Sequence, residues 1–378
     1  MRKLASIQRI VDIEPIEGKD RIVLATVEGW KVIVRKDEFV VGDLCVYVEI
    51  DSIMPEKPEF EFLRNKKFKI KTMKMGNVYS QGIAFPLSIL PKANYVEGQD
   101  VTDIIGVKKI DEYPEEVIAQ TNKGSKLKSF LFKHKATRWL ASLIYVQAKK
   151  VHGEFPSFIS KTDEERIQNI PNMVNSVEPF CVTEKIDGTS ATYYVTKEGL
   201  FKTWTLHVCS RNLSVTNKDT YYWKIVDIFR IKDFLVDLAK TNNCKWACLQ
   251  GEIIGPGIQG NKYKKNFFDF YGFNIILPGS NPKNAMFNKR LPTKESAELA
   301  RKYSIKWVPI LYYEMILPNS VDEILELADG TSVLENRTRE GLVFRSLDGK
   351  RSFKAVSNKF LIETDKLEEK QELENEAA

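Results

Sequence analysis

The segment Glu184-Lys185-Ile186-Asp187-Gly188-Thr189-Ser190 holds the side chains best suited to chemistry. A lysine amine can attack the α-phosphorus of a nucleotide and expel pyrophosphate, leaving a phosphoramidate. The attack needs a neutral amine, so cations, a metal ion or burial must lower the lysine's pKa. The flanking FCVT and ATYYV are strand-like, which puts Lys185 at the end of one strand before a glycine-containing turn. In an extended segment Lys185 and Asp187 face the same way, so Asp187 is placed to meet a ribose or a metal-bound water. Alone, Lys-x-Asp-Gly is weak evidence, because surface turns of that composition arise by chance.

Further segments follow in order: Ser210-Arg211-Asn212, Leu249-Gln250-Gly251-Glu252-Ile253-Ile254-Gly255 and Phe268-Asp269-Phe270-Tyr271-Gly272-Phe273-Asn274-Ile275. Then come Arg339-Glu340-Gly341-Leu342-Val343-Phe344 and Ser352-Phe353-Lys354-Ala355-Val356. With these the sequence resembles the covalent nucleotidyltransferase superfamily of polynucleotide ligases and mRNA capping enzymes. It is most similar to the RNA ligases that carry an OB-like module ahead of the catalytic domain. The opening RKLASIQRIVDIEPIEGKDRIVLATVEGW also looks like that module, so the resemblance covers nearly the whole chain.

The resemblance implies a role for each matching residue. Lys185 would be the nucleophile that is adenylylated, and Glu184 would help recognise the adenine amine. Arg211 would contact the nucleotide or the 5′-phosphate strand. Glu252 and Glu340 would hold the ribose hydroxyls or the water ligands of Mg²⁺ or Mn²⁺, hard cations that favour oxygen. Asp187 would join them at the metal, largely through water, with Gly188 beside the nucleotide. Phe273 would stack on adenine, with Phe270 as the second choice. Lys354 would neutralise the α-phosphate and assist pyrophosphate departure, completing a catalytic set with Lys185, Glu252 and Glu340. Related ligases often carry a second lysine two residues later, where this chain has Val356. Its load would fall on Lys354, the metal, and Lys350 or Arg351.

Glu340 to Ser346 and Lys350 to Ser357 read as a hairpin around Leu347-Asp348-Gly349. A two-residue Asp-Gly loop pairs Val343 with Lys354 and puts Glu340 and Lys354 on opposite faces. A three-residue loop with a left-handed Gly349 pairs Leu342 with Lys354 and puts both on one face, as shared chemistry requires. The expectation is the three-residue loop, or else a bulge at Gly341.

The elements that must position these residues fall into three parts. Residues 1–108 read as short strands broken by turns: RIVLATVEG, WKVIVRK, DLCVYVEI, FKIKTMKM and SQGIAFPL. Their spacing suggests a small OB-like barrel. Residues 109–150 read as a basic helical connector, and Trp139 to Val146 as a buried or amphipathic helix. Residues 151–378 read as a mixed α/β nucleotidyltransferase domain, an ATP-grasp-like adenylyltransferase with antiparallel sheets and an acidic tail. The whole is α+β. Helices are expected at Asn217 to Thr241, Thr293 to Tyr303 and Ser320 to Ala328. The last opens with Ser320 and Glu323 in capping-box spacing and ends at Gly330.

Charge adds a partner. The net charge of +6 is mild, but it is segregated. Arg64 to Lys74 and Lys123 to Arg138 each hold six basic residues, whereas Glu363 to Ala378 is acidic. Segregated basic stretches suit a polyanion. In FKIKTM the alternation puts Lys69 and Lys71 on one face and Phe68 and Ile70 on the other. Lys69, Lys71, Lys126 and Lys128 are therefore expected to grip an RNA backbone, with Lys262 and Lys264 from the basic, aromatic Asn261-to-Phe267 run. Such grips read shape and charge, so little sequence specificity is expected.

Other classes are disfavoured. No apolar run has the length of a membrane span, and the N-terminus turns acidic too early for a secretory signal, so a soluble intracellular protein, in the cytoplasm or an unassigned compartment, is expected. Five scattered cysteines and three histidines argue against a disulfide framework or structural zinc. No obligate protein partner is evident. The expected activity is ATP-dependent sealing of 3′-OH/5′-phosphate RNA breaks, nicked duplex foremost. A capping guanylyltransferase or DNA ligase is the nearer alternative, although most of those place the OB module after the catalytic domain. A non-catalytic OB nucleic-acid-binding protein is the more distant one.

Overall fold

The computed structural model describes residues 3–110, 153–198, 203–279 and 288–376. Nearly all of the expected connector, with Lys126, Lys128 and Trp139 to Val146, lies outside the described residues.

The N-terminal part is an antiparallel barrel. Its main strands are β1 (Ala5–Pro15), β2 (Ile22–Val27), β3 (Trp30–Arg35), β4 (Leu44–Val48) and β5 (Ile83–Pro86), in the order β3-β2-β1-β4-β5. The longest, β1, was not among the expected strands. Ser6 and Gln8 are buried in it and bond to each other at 3.0 Å, which hides the apolar alternation. A register shift between Ile10 and Asp12 bends β1 so that it serves both halves of the sheet. The barrel closes where Gln81 N–H donates to Lys31 O at 2.8 Å. Ile7, Ile10, Val27, Trp30, Val46 and Tyr47 fill the inside. FKIKTMKM forms two short strands, Lys69–Ile70 and Met73–Met75, rather than one. Its faces are as read: Phe68 and Ile70 are buried, and Lys69 and Lys71 are half-buried on the outside.

The second part is built on two sheets. One has four strands in the order β12-β6-β13-β14: β6 (Phe180–Lys185), β12 (Ile310–Met315), β13 (Gly341–Ser346) and β14 (Ser352–Val356). The other runs β8-β7-β9-β10-β11: β7 (Thr189–Glu198), β8 (Thr203–Cys209), β9 (Trp246–Ile254), β10 (Asp269–Pro278) and β11 (Asn288–Arg290). Pairing is antiparallel except where the short strand Lys306–Trp307 runs parallel to β10. The larger sheet packs α1 (Tyr221–Ile228), α2 (Ile231–Thr241) and α3 (Thr293–Arg301) on one face. The smaller buries α4 (Val321–Ala328) against Phe180, Phe344 and Phe353. Ile186, Ile254, Tyr263, Tyr271 and Val308 form a separate apolar cluster where the two sheets meet.

The single helix expected from Asn217 to Thr241 is two helices. Arg230 takes a left-handed φ of +49° and ion-pairs with Asp233, and the break lets Tyr222 and Ile225 face the same core as Phe234 and Leu235. At α4 the Ser320 hydroxyl accepts the Glu323 N–H (3.2 Å), as expected of a capping pair. The other end differs from expectation. Gly330 is not the left-handed cap, and Asp329 (φ −70°) ends the helix. Arg339 satisfies its last carbonyls instead, donating to Leu327 O (2.6 Å) and Ala328 O (3.0 Å). The acidic tail forms a helix, α5 (Asn358–Glu376).

The barrel is stitched to the second part through residues 165–169. Gly29 N–H donates to Gln168 O (2.9 Å), Trp30 Nε1 to Asn169 Oδ1 (2.6 Å), and Arg166 Nη2 pairs with Asp51 (2.9 Å). No described helix is long and apolar enough to cross a membrane. Since charge-assisted hydrogen bonds contribute about 1.5–3 kcal/mol each, Arg339→Ala, which removes two, should destabilise the fold by at least the value of one, read as a lower urea midpoint. Arg339→Lys, which keeps one donor, should fall between.

Candidate active site

β6 ends at Lys185, at the junction of the two sheets. Its Nζ lies 2.5 Å from Glu340 Oε1, while Asp187 and Glu252 act on it from the neighbouring turn and from β9. Burial would depress the Lys185 ammonium, but the carboxylates of Glu340, Glu252 and Asp187 outweigh it and the net shift is upward. Among these carboxylates the lysine is therefore held charged, not activated as the residues alone suggested. Glu252 pays the reverse cost: burial, Glu340 and Asp187 push its carboxyl up to about 8 despite Lys185. Asp187 is anchored by Lys262 (2.5 Å), and its N–H donates to the Tyr263 hydroxyl (3.0 Å). Gly188 lets that turn lie on β9, since a Cβ there would stand 2.4 Å from Ile253 O and 2.9 Å from Glu252 Cγ.

Beside this acidic group is a basic one. Lys354 Nζ pairs with Asp163 Oδ1 (2.8 Å), and Arg211 Nη2 pairs with Asp163 Oδ2 (3.1 Å). Burial presses the Lys354 ammonium down to about 8; Arg166 and Lys185 add to this and Asp163 opposes it. Val356 is buried, so nothing cationic stands in its place. Neither Lys350 nor Arg351 takes over its load: Lys350 pairs with Asp348, and Arg351 with Glu178 and Ser176.

The hairpin differs from expectation. Val343 pairs with Lys354 and the ladder runs unshifted to Gly341–Val356, so there is neither the three-residue register nor a bulge. The loop is four residues, Leu347 to Lys350, closed by Ser346 and Arg351. Ser346 Oγ donates to Asp348 Oδ1 (2.7 Å) and accepts Arg351 N–H (2.9 Å), a staple that decides the register. Glu340 reaches Lys185 because it lies outside the strand. Gly341 takes φ +156° and passes so close to Ala355 that a Cβ would be 2.2 Å from its carbonyl oxygen.

The aromatic position is set by a bulge. Gln250 pairs with Asn274 but Gly251 pairs with Gly272, leaving Phe273 as the extra residue of β10. It packs half-buried with Ile186, Ile254 and Tyr271, with the Arg345 guanidinium 5.9 Å from its ring centroid. Phe270, the second choice, is fully buried on the other face against Tyr193. Nearby, Glu184 is buried; its Oε2 accepts Val333 N–H (3.0 Å), while its Oε1 has no hydrogen-bond partner among the described residues.

A family model described as RNA ligase matches residues 178–356, and one described as an OB-fold domain matches residues 4–87. Naegleria gruberi RNA ligase with PPi is 32% identical, with a TM-score of 0.77 over 96% of this chain and 99% of that one. The chain belongs to the RNA ligase family. The same Naegleria gruberi ligase, as mutants with ATP and Mn or with AMP and Mn, is 33% identical with TM-scores of 0.76 and 0.75 over the same shares. A comparison with curated proteins finds no match.

In this ligase Lys185, Asp187, Gly188, Glu252 and Glu340 are brought together, with Lys354, Arg211, Glu184 and Phe273 around them. Among the described residues no three His, Cys, Asp or Glu side chains are set to hold an ion directly. Burial raises Glu252 most, and the repulsion from Glu340 and Asp187 that adds to it is what a hydrated cation would relieve. The residues expected on RNA separate. Lys262 belongs to the site through Asp187, Lys264 pairs with Glu335 at the surface, and Lys71 pairs with Asp365 and Glu368 of α5. Lys69 stays on the outer face of the barrel. Residues that sequence reasoning missed are Asp163, Arg166, Tyr263 and Arg345. Asp163 and Arg166 sit in a charged run, KTDEER, that reads as solvated surface.

The upward shift of Lys185 has a measurable sign. Glu340→Gln removes a carboxylate that stabilises the ammonium, so the free-amine fraction at any given pH should rise. In the ligand-free ligase, amine-selective labelling followed by peptide mass spectrometry should find Lys185 slow in the wild type. It should be several-fold faster in the variant at the same pH, with the titration moved to lower pH.

Proposed function

We propose that this chain is an ATP-dependent RNA ligase that seals 3′-OH/5′-phosphate breaks through a lysyl-AMP on Lys185, nicked duplex RNA or RNA–DNA hybrid being the preferred substrate. The observation that carries the reading is the pairing of charge at Lys185: three carboxylates on one side, Lys354 and Arg211 on the other. That polarity suits a nucleophilic amine facing a polyphosphate. Residues 1–108, 109–150 and 151–378 would be its nucleic-acid, connecting and catalytic parts.

In the first step Lys185 Nζ forms a bond to the α-phosphorus of ATP as the α–β bridging P–O bond breaks and pyrophosphate leaves. Nζ must first lose a proton, and Glu340 Oε1 is the nearest acceptor. Lys354 and Arg211 offset the charge that develops on the phosphates. Glu184 Oε1, the buried acceptor without a partner, would take the adenine amine, and Phe273 would stack on the ring. Mg²⁺ or Mn²⁺, held by Asp187, Glu252 and Glu340 largely through water, would neutralise those carboxylates and polarise the phosphates. The AMP then passes to an RNA 5′-phosphate, and a 3′-hydroxyl attacks that phosphate and releases AMP. Positioning and charge compensation carry all three steps.

Incubation with ATP or GTP labelled at the α-phosphate, with Mg²⁺ or Mn²⁺, should leave label on the denatured chain from ATP only. Lys185→Ala should carry none, and Lys354→Ala should lose at least about 100-fold in labelling rate, the scale of removing one electrostatic stabiliser. Label from GTP would point to a capping enzyme, and no label to a binding protein. Equal sealing of DNA and RNA nicks would sink the RNA preference.

A further inference from the structure

Residues 161–166 cross the mouth of the basic group as a strap fixed on both sides of Asp163. Lys161 Nζ donates to Asn212 Oδ1 (3.2 Å), and Thr162 Oγ1 meets Ser190 Oγ (2.8 Å). Beyond Asp163, Glu164 pairs with Arg345 (3.2 Å) and Arg290 (3.6 Å) and accepts from the Ser352 hydroxyl. The Glu165 carbonyl accepts Lys354 N–H (2.8 Å), and Arg166 pairs with Asp51 (2.9 Å). With its neighbours tied down, Asp163 divides its two oxygens between Lys354 Nζ and Arg211 Nη2. Its side chain is 44% exposed, whereas that of Lys354 is 13% exposed. Two oxygens of one anion bridging an ammonium and a guanidinium is the arrangement a phosphate group would also make.

We propose that Asp163 is a built-in stand-in for phosphate. It occupies Lys354 and Arg211 before substrate binds, yields them when substrate phosphates enter, and retakes them as pyrophosphate leaves. It is a positioning residue, since it acts through the two cations and not on the reacting atoms. The proposal rests on the reading that Lys354 and Arg211 serve phosphates. Two features support displacement over a permanent strut. Asp163 is the more exposed partner, so it can turn into water while the strap stays anchored through Thr162 and Glu164. Without Asp163, Lys354 would face Arg166 and Lys185 with less negative charge beside it, and Asp163 keeps Lys354 charged until a phosphate arrives. Because pyrophosphate must displace Asp163 to rebind the lysyl-AMP form, its release is favoured and reversal of lysyl-AMP formation is disfavoured.

The test uses the full chain and inorganic pyrophosphate as the probe, at pH 6.5, below the depressed Lys354 value. Partly exposed ion pairs are each worth up to about a factor of five, so Asp163→Asn should bind pyrophosphate about 3- to 10-fold more tightly by titration calorimetry. The lysyl-AMP form of the variant should be reversed at correspondingly lower pyrophosphate, and Asp163→Glu should restore wild-type values. Unchanged melting temperatures establish that both variants fold. Equal or weaker pyrophosphate binding by a folded Asp163→Asn, in a protein whose wild type takes label from ATP, overturns the proposal alone. A wild type that takes no label overturns the reading beneath it.

Discussion

Lys185 lies among three carboxylates at a half-buried junction, and the arrangement around it follows from that crowding. Like charges gathered away from water raise each other's free energy unless a counter-ion stands between them. Here Lys185 is that counter-ion for Glu340, Glu252 and Asp187, and Lys262 holds Asp187 a second time. The basic group a short distance away solves the same difficulty with the opposite sign, Asp163 standing between Lys354 and Arg211. The site is thus two charge-balanced clusters, each organised around the charge its neighbours lack. A triphosphate with a divalent cation would exchange both sets of partners at once.

Backbone geometry supplies what the charges require. β6 and β9 belong to different sheets, so Lys185 and Glu252 meet only because the sheets converge on the apolar cluster around Ile186 and Tyr271. Three local departures from regularity then aim the side chains. The tight approach at Gly188 lowers Asp187 onto β9, the bend at Gly341 frees Glu340 from the pleat, and the extra residue in β10 turns Phe273 toward the junction. Regular strands would place these side chains on the wrong faces.

The short-range chemistry was legible in the sequence, and the long-range electrostatics were not. Lys185, Asp187, Glu252 and Glu340 lie in compact motifs that read as one set, and the OB strands show through their alternation. Strand β1 was hidden because its buried positions carry Ser6 and Gln8, which satisfy each other. The β13–β14 register was misjudged because turn rules treat Asp348-Gly349 as backbone, whereas Ser346 and Asp348 staple the loop through side chains. Asp163 and Arg166 escaped notice for a different reason. A short charged run looks the same whether it is solvated or paired with opposite charges far away in sequence. Lys71 shows the converse, a basic residue read as open that α5 covers with two acids.

The strap also changes what the N-terminal barrel is. Arg166 meets Asp51 of the barrel and lies 5.8 Å above the ring of Trp30, and it bridges in parallel to Lys354 itself. Between the barrel wall and the lysine there is no slack segment to absorb movement. On the proposed reading, a nucleic-acid strand pulling on the barrel would load Lys354 through Arg166, as a lever loads its pivot. The barrel is less a detachable adaptor than a body braced against the strand that carries Lys354.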